Sequence, residues 1–281
     1  MESAIKTNSP PVISSAKILP DEPNVESGLN VFVQSKNPGQ NPVTYHYQWI
    51  KNGEEMTGAN THAMGKGEFR KGELIQVKIT PSNAKTDGTP FLSAAVKIVN
   101  SPPAIQEVWI EPKVAYATDG LKANVKSSDP DGDSINYTYS WENNGVALSE
   151  EKTEILDRSR FKKGDSIAVT VIPDDGETSG SPQKSQPIII ANSPPVITSS
   201  PPERMNGNIY TYQVKAIDAD NDAVRFGLKT APKGMDIDKE TGFIRWEIRK
   251  GSHGKHPIEI EASDGEGAKG IQRYTFSVEF R

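Results

Sequence analysis

The chain has 281 residues, a length typical of two or three domains. It contains no cysteine, which excludes disulfides and thiolate metal sites, and its net charge of −5 gives no indication of nucleic-acid binding. Isoleucine and valine together supply 43 residues against eight leucines, and this β-branched bias favours strands over helices.

A sequence repeat with a period of 92 residues organises the chain. The segment Asn-Ser-Pro-Pro begins at Asn8, Asn100 and Asn192. Since self-similarity at a fixed period indicates tandem units, we predict three domains. The domains, called here the first, second and third repeats, are predicted at residues 8–100, 101–192 and 193–281, after a disordered tail at residues 1–7. The Pro-Pro pairs make each junction a short and rather rigid connection.

The first two repeats carry the same motifs in the same order. The first repeat has a Tyr-x-Tyr-x-Trp stretch at residues 45–49, an Asn-Gly pair at 52–53 and an alternating apolar stretch at 75–79. The second repeat has the same three motifs at residues 137–141, 144–145 and 167–171. Alternation with period two predicts antiparallel strands with one polar face, and Asn-Gly supplies the positive φ of a tight hairpin turn. We therefore predict Trp49 and Trp141 in the core.

The third repeat also alternates with period two, at residues 210–216 and 258–261. No segment of the chain keeps a 3.6-residue period over three turns. About seven short strands in ~90 residues are typical of a β-sandwich. We predict an all-β chain of three tandem antiparallel β-sandwiches, which end to end would form a rod on the order of 100 Å long.

The first two repeats resemble the immunoglobulin-like (Ig-like) and PKD-like repeats of bacterial surface and secreted proteins. This likeness rests on the Tyr-x-Tyr-x-Trp-x-x-Asn-Gly stretch, on the Phe-x-Lys-Gly segments at residues 69–72 and 161–164, and on the Asn-Ser-Pro-Pro junctions. The third repeat is similar to the dystroglycan-type cadherin-like domain, through residues 212–220, 234–238, 241–246 and 262–265. The resemblance implies Ig-like and cadherin-like sandwiches. It says little about biological role, because one fold serves many functions.

Two aspartate ladders are the sharpest chemical feature of the sequence. They consist of Asp129, Asp131 and Asp133 in the second repeat and of Asp218, Asp220 and Asp222 in the third. Three carboxylates at alternate positions repel one another unless a cation neutralises them, and Ca²⁺ is the ordinary candidate. Neither ladder has the glycine and glutamate of an EF-hand loop. The cadherin-like resemblance implies closure by a later Asp-Gly, which Asp175 and Asp264 supply, and a solvated acidic turn is the alternative.

The charge distribution agrees with a cation in the second repeat. Residues 101–192 carry nine basic and 15 acidic residues, whereas residues 193–281 carry 13 of each. In the first repeat the aligned loop is Asn37-Pro38-Gly39-Gln40-Asn41, which has no carboxylate. We predict no metal site there.

Catalysis has no positive support in the sequence. It lacks a Gly-x-Ser-x-Gly elbow, a His-Glu-x-x-His motif and a P-loop. We therefore predict a non-enzymatic adhesion or structural protein, extracellular or on the cell surface, whose protein or polysaccharide ligand is unknown.

Two alternatives stay open. One is the carbohydrate-binding region of a secreted polysaccharide-active enzyme, with aromatic side chains on an exposed sheet face. The other is a periplasmic factor for assembling surface fibres. No apolar run reaches the ~20 residues of a membrane span, so we predict no membrane insertion of this chain. The first twenty residues also lack the apolar core of a signal peptide.

Overall fold

The computed structural model describes residues 9–37, 42–83 and 85–279. These residues form 24 β-strands and one short 3₁₀ helix at Arg158–Arg160, without an α-helix. The predicted all-β fold is therefore confirmed. None of the helical structure in this part of the chain is long and apolar enough to cross a membrane. The tail predicted at residues 1–7 lies outside the described residues.

The chain divides into two compact units. One comprises Met1–Glu107, Lys126–Thr138 and Ile172–Gln183, and the other comprises Val108–Val125, Tyr139–Val171 and Lys184–Arg281. The division passes through the second repeat. The three domain boundaries and their end-to-end arrangement stay predictions.

Two sheets build the first repeat. Its strands are β1 (Val12–Leu19), β2 (Leu29–Lys36), β3 (Thr44–Lys51), β4 (Glu54–Glu55), β5 (Ala63–Met64), β6 (Leu74–Ser82), β7 (Phe91–Leu92) and β8 (Val96–Lys97). One sheet has the order β1-β2-β5, and the other has the order β4-β3-β6-β7, with β8 also paired to β6. Side chains of both sheets share one buried cluster, which includes Ile18 and Leu29 from the first sheet and Trp49 and Val77 from the second.

The second repeat has the same pairing scheme, eight strands further along. Its strands are β9 (Ala104–Glu111), β10 (Leu121–Ser128), β11 (Asn136–Asn143), β12 (Val146–Ala147), β13 (Ile155–Leu156), β14 (Ser166–Asp174), β15 (Gln183–Lys184) and β16 (Ile188–Ile189). The sheet orders are β13-β10-β9 and β12-β11-β14-β15, with β16 on β14. The sequence repeat is thus a structural repeat.

Three antiparallel sheets form the third repeat. Its strands are β17 (Val196–Ile197), β18 (Ile209–Gln213), β19 (Ala216–Ile217), β20 (Arg225–Thr230), β21 (Met235–Ile237), β22 (Phe243–Glu247), β23 (Gly254–Ser263) and β24 (Lys269–Val278). The sheets have the orders β17-β19, β18-β22-β21 and β20-β23-β24. Tyr210, Trp246, Ile260 and Phe276 lie in their shared buried cluster.

The predicted core tryptophans are buried. Trp49 and Trp141 are each 0% exposed, and each indole Nε1 donates a hydrogen bond to a backbone carbonyl 2.9 Å away. A buried indole needs such a partner, because an unsatisfied N–H is costly in an apolar core. The core interpretation is confirmed, and these two tryptophans do not form an exposed platform for sugar rings.

The predicted Asn-Gly turns are also confirmed. Asn52 and Asn144 have φ of 52° and 51°, a region that asparagine tolerates better than most residues, and the glycine after each also has positive φ. The Asn144 amide is held at both ends, since its Nδ2 donates to Asp165 and its Oδ1 accepts from the backbone amide of Ser166.

Each Pro-Pro segment runs against a glycine of the domain that it enters. A Cβ atom added to Gly88, Gly180 or Gly270 would lie 2.0, 1.9 or 2.0 Å from the carbonyl oxygen of the second proline, at Pro11, Pro103 and Pro195. No side chain fits at these distances. The three glycines therefore allow the entering segment to lie directly against the backbone of its own domain.

Candidate functional site

Both aspartate ladders fold into the same tight loop. The first aspartate of each, Asp129 or Asp218, accepts through Oδ1 from the backbone amides two and four residues later, at 2.8–3.1 Å in one loop and 2.9–3.2 Å in the other. The fourth residue has positive φ, 83° at Gly132 and 64° at Asn221, which explains the glycine and asparagine at that place. The loops gather carboxylates by local hydrogen bonding.

The central aspartate of each loop accepts a hydrogen bond from the Asn-Ser-Pro-Pro junction. Asp131 Oδ2 accepts from the Ser101 backbone amide at 2.6 Å, and Asp220 Oδ2 accepts from the Ser193 backbone amide at 2.6 Å. Both serines belong to Asn-Ser-Pro-Pro segments. We call the residues around Ser101 the first joint and those around Ser193 the second joint, and each joint lies inside a single compact unit.

The closing aspartates bind the junction asparagines. Asn100 Nδ2 donates to Asp175 Oδ2 at 2.7 Å, and Asn192 Nδ2 donates to Asp264 Oδ2 at 2.6 Å. The hydrogen bond from Asn100 is the main cause of a lowered pKa at Asp175. Burial opposes ionisation of Asp264, yet the bond from Asn192 and three backbone amides lower its pKa.

A lysine from the preceding Phe-x-Lys-Gly segment completes each joint. Lys71 Nζ contacts Asp133 and lies 2.9 Å from Glu177 Oε1. In the second joint Lys163 Nζ lies 2.5 Å from Asp222 Oδ2 and 2.6 Å from Glu266 Oε1. These hydrogen bonds to carboxylates raise the pKa of both lysines. Each ammonium group therefore neutralises part of the ladder from the neighbouring repeat.

Several buried oxygens at both joints have no hydrogen-bond partner within residues 9–37, 42–83 and 85–279. They are Ser101 Oγ, Asp129 Oδ2 and Asp131 Oδ1 in the first joint, and Asn192 Oδ1, Ser193 Oγ, Asp218 Oδ2 and Asp220 Oδ1 in the second. The two serines are almost completely buried, with 1% and 4% exposure. Buried carboxylate, hydroxyl and amide oxygens without donors are the ligand set of a hard cation such as Ca²⁺, so the residues present fit the predicted ion.

The predicted site residues have two overlapping roles, in carboxylate groups and in contacts with the junction. Carboxylate oxygens of Asp129, Asp131 and Asp133 lie within 4.8 Å of one another, as do those of Asp218, Asp222 and Asp264. Asp175 and Asp220 fall outside these two groups and bind the junction, as Asp131 and Asp264 also do. Sequence analysis assigned no role to the asparagines and serines of the junction or to the two lysines, although the Asn-Ser-Pro-Pro and Lys-Gly recurrences marked their positions.

The start of the first repeat has a related but uncharged contact. Asn83 Nδ2 donates to the Ser9 carbonyl at 3.2 Å, and Asn83 Oδ1 accepts from the amides of Lys85 and Thr86. Asn83 thus takes the place of a closing aspartate. The predicted absence of a metal there stays a prediction, because residues 38–41 of the aligned loop lie outside the described residues.

One known protein family matches part of the chain, and several solved structures resemble the chain loosely. The family described as "Putative Ig domain" matches residues 187–279. No curated protein sequence matches the chain. The family match includes every strand of the third repeat and identifies an Ig-like domain there.

Three similar solved structures are themselves multi-domain fragments. The three N-terminal domains of the bacteriophage RB49 Highly Immunogenic Outer Capsid protein are 14% identical, cover 96% of this chain and 99% of that one, and have a TM-score of 0.30. Protocadherin Gamma B2 domains 3–6 are 12% identical over 97% of this chain and 76% of that one, with a TM-score of 0.31. Mouse Cadherin-23 domains 22–24 are 12% identical over 97% and 99%, with a TM-score of 0.28. These superpositions are too loose to support any inference about function.

Proposed function

We propose that the chain is a non-enzymatic adhesion or structural module that acts outside the cell or on its surface, with Ca²⁺ stabilising its two joints. The observation that carries this proposal is the set of unpartnered buried oxygens, three of which occur at equivalent places in both joints. A solvated acidic turn does not require buried oxygens without donors, whereas a cation site does.

The joints link cation binding to the connection between domains. Asp131 and Asp220 hold the junction serines through one oxygen and keep the other oxygen free. Bound Ca²⁺ would supply positive charge to this second oxygen and to the neighbouring carboxylate. The same carboxylates then fix both the cation and the first residues of the next domain. Such a joint suits a protein that must keep its domains connected in a calcium-rich surrounding.

Calcium titration of the full chain tests the proposal. Extracellular modules bind Ca²⁺ with Kd of ~10⁻⁴–10⁻³ M. At a free concentration ten times Kd, binding stabilises the folded state by about 1.4 kcal/mol per site. We expect millimolar Ca²⁺ to raise the melting temperature, and Asp131→Asn and Asp220→Asn each to remove part of the rise. Asparagine keeps an oxygen acceptor for the serine amide, so these variants chiefly remove charge.

The matched control is Glu107→Gln, which removes one exposed carboxylate from the second repeat outside both joints. It should leave the calcium effect unchanged. An equal rise with NaCl at the same ionic strength, or an equal rise in all variants, would show general charge screening and would contradict the cation sites.

A further inference from the structure

All three repeats contain the same lysine turn. The turns are Arg70–Glu73, Lys162–Asp165 and Arg249–Ser252. In each, the fourth backbone amide donates to the first carbonyl, at 3.1, 3.1 and 2.8 Å. The fourth side chain accepts from the first amide, at 2.8, 2.9 and 3.3 Å. The second residue is lysine and the third is glycine in every case.

The first two turns each bind the same kind of partner, the aspartate ladder of the following repeat, which is called here the occupant of the turn. The lysine at their second position, Lys71 or Lys163, bridges the last aspartate of a ladder and the glutamate after the closing Asp-Gly. Beside the first turn a cavity of about 750 Å³ is lined by Arg70 and Lys71 together with Pro130 and Asp131 of the ladder. Both turns thus bind the aspartate ladder of the following repeat, and at the first turn the ladder also lines the adjoining cavity.

The third turn has the same components without that occupant. Lys250 is exposed and forms no ion pair among the residues that the structure describes. A cavity of about 620 Å³ adjoins the turn and is lined by its residues Arg249, Gly251 and Ser252 and by the basic residues Lys233 and Arg245. Asp236 and Glu247 also line it, so the surface carries both signs, as the first cavity does through Glu26 and Lys66.

We propose that the Arg249–Ser252 turn and its adjoining cavity form a docking surface for the aspartate ladder of a further β-sandwich domain. The ladder would place its last carboxylate on Lys250. A second copy of this chain does not suit the surface, because its ladders already bind Lys71 and Lys163, and its first repeat has Asn37 and Asn41 where a ladder has aspartates. The proposal does not depend on calcium.

A duplication of the second repeat provides the test. Residues 100–192 are appended to the full chain after Arg281. Two further versions append them after Phe280 and after Glu279, so that a negative result cannot come from one unsuitable linker length. The rate at which an amine-reactive ester labels each lysine is then measured by mass spectrometry. An ammonium held by carboxylates reacts slowly, because only the neutral amine attacks the ester.

We expect labelling of Lys250 to fall about tenfold in at least one version, which corresponds to a pKa rise of one unit. Lys255, an exposed lysine of β23, is the matched control and should keep its rate. Asparagine at all three ladder positions of the appended copy should restore labelling of Lys250. Unchanged labelling in all three versions would contradict the proposal, and so would concentration-dependent protection of Lys250 in the original chain, since that would identify a second copy as the occupant.

Discussion

Replacing Gly180 by alanine tests the close approach of the junction to its own domain. The new Cβ would lie 1.9 Å from the Pro103 carbonyl oxygen and 2.9 Å from Pro173 Cγ, whereas such contacts are essentially never below 3.0 Å. The entering backbone must therefore move by roughly 1 Å, the kind of overpacking that costs ~1–3 kcal/mol. The contact with Pro173 also displaces residue 180 itself, which weakens the 2.8 Å hydrogen bond from its amide to the Pro173 carbonyl, worth about another 1 kcal/mol.

We expect Gly180→Ala to destabilise the protein by about 2–4 kcal/mol, and a loss of 2 kcal/mol corresponds to a fall of roughly 8–16 °C in the melting temperature of a domain of this size. Calorimetry of the full chain measures this change in melting temperature. Gly120→Ala is the control in the same repeat, because nothing lies within 4 Å of its added Cβ and its φ is not positive. Its unfolded chain loses entropy, so it should be neutral or stabilising by up to ~1 kcal/mol. Equal melting temperatures of the two variants would refute the close approach of Pro103 to Gly180.

Two further substitutions probe the core and the first joint. Trp141→Ala removes a side chain that is 0% exposed, so it should lower the free energy of unfolding by ~3–5 kcal/mol in urea titration, and near-neutral stability would contradict core burial. Asn100→Ala removes the hydrogen-bond donor to Asp175, which is the main cause of that carboxylate's lowered pKa. The pKa of Asp175, followed by NMR titration, should therefore rise. An unchanged pKa would mean that the contact does not form in solution.

Features that repeat locally in the sequence were predictable. The tryptophans were assigned to the core because each shares a face with two tyrosines in two copies, and the structure buries both. The two ladders were recognised as a pair from their shared alternation of aspartates, and their hydrogen bonds are equivalent. In both cases the signal in the sequence lies in residues a few positions apart.

Contacts between distant segments were not predictable from one sequence. Lys71 lies 62 residues from Asp133 and 106 residues from Glu177, and no spacing rule connects them. In the sequence, Gly180 follows a serine in a polar stretch and resembles an ordinary turn glycine. Only the structure shows that the Pro103 backbone lies against it. The Lys-Gly and Asp-Gly-Glu motifs recurred visibly, but their recurrence does not say that one motif binds the other.

The Asn-Gly turns of the first two repeats differ in their resistance to chemical ageing. An asparagine before glycine loses ammonia when the glycine nitrogen attacks its side-chain carbonyl, and the resulting ring opens mostly to isoaspartate. At Asn144 the amide is anchored from both sides, by Asp165 and by the Ser166 amide, so the attack must first break two hydrogen bonds. At Asn52 the oxygen accepts from the Leu74 amide, and the residue that replaces Asp165 is Glu73, which binds Arg70 and Lys51 instead. Of these two turns, we therefore expect isoaspartate to form faster at Asn52, in a hairpin whose backbone would gain an extra methylene.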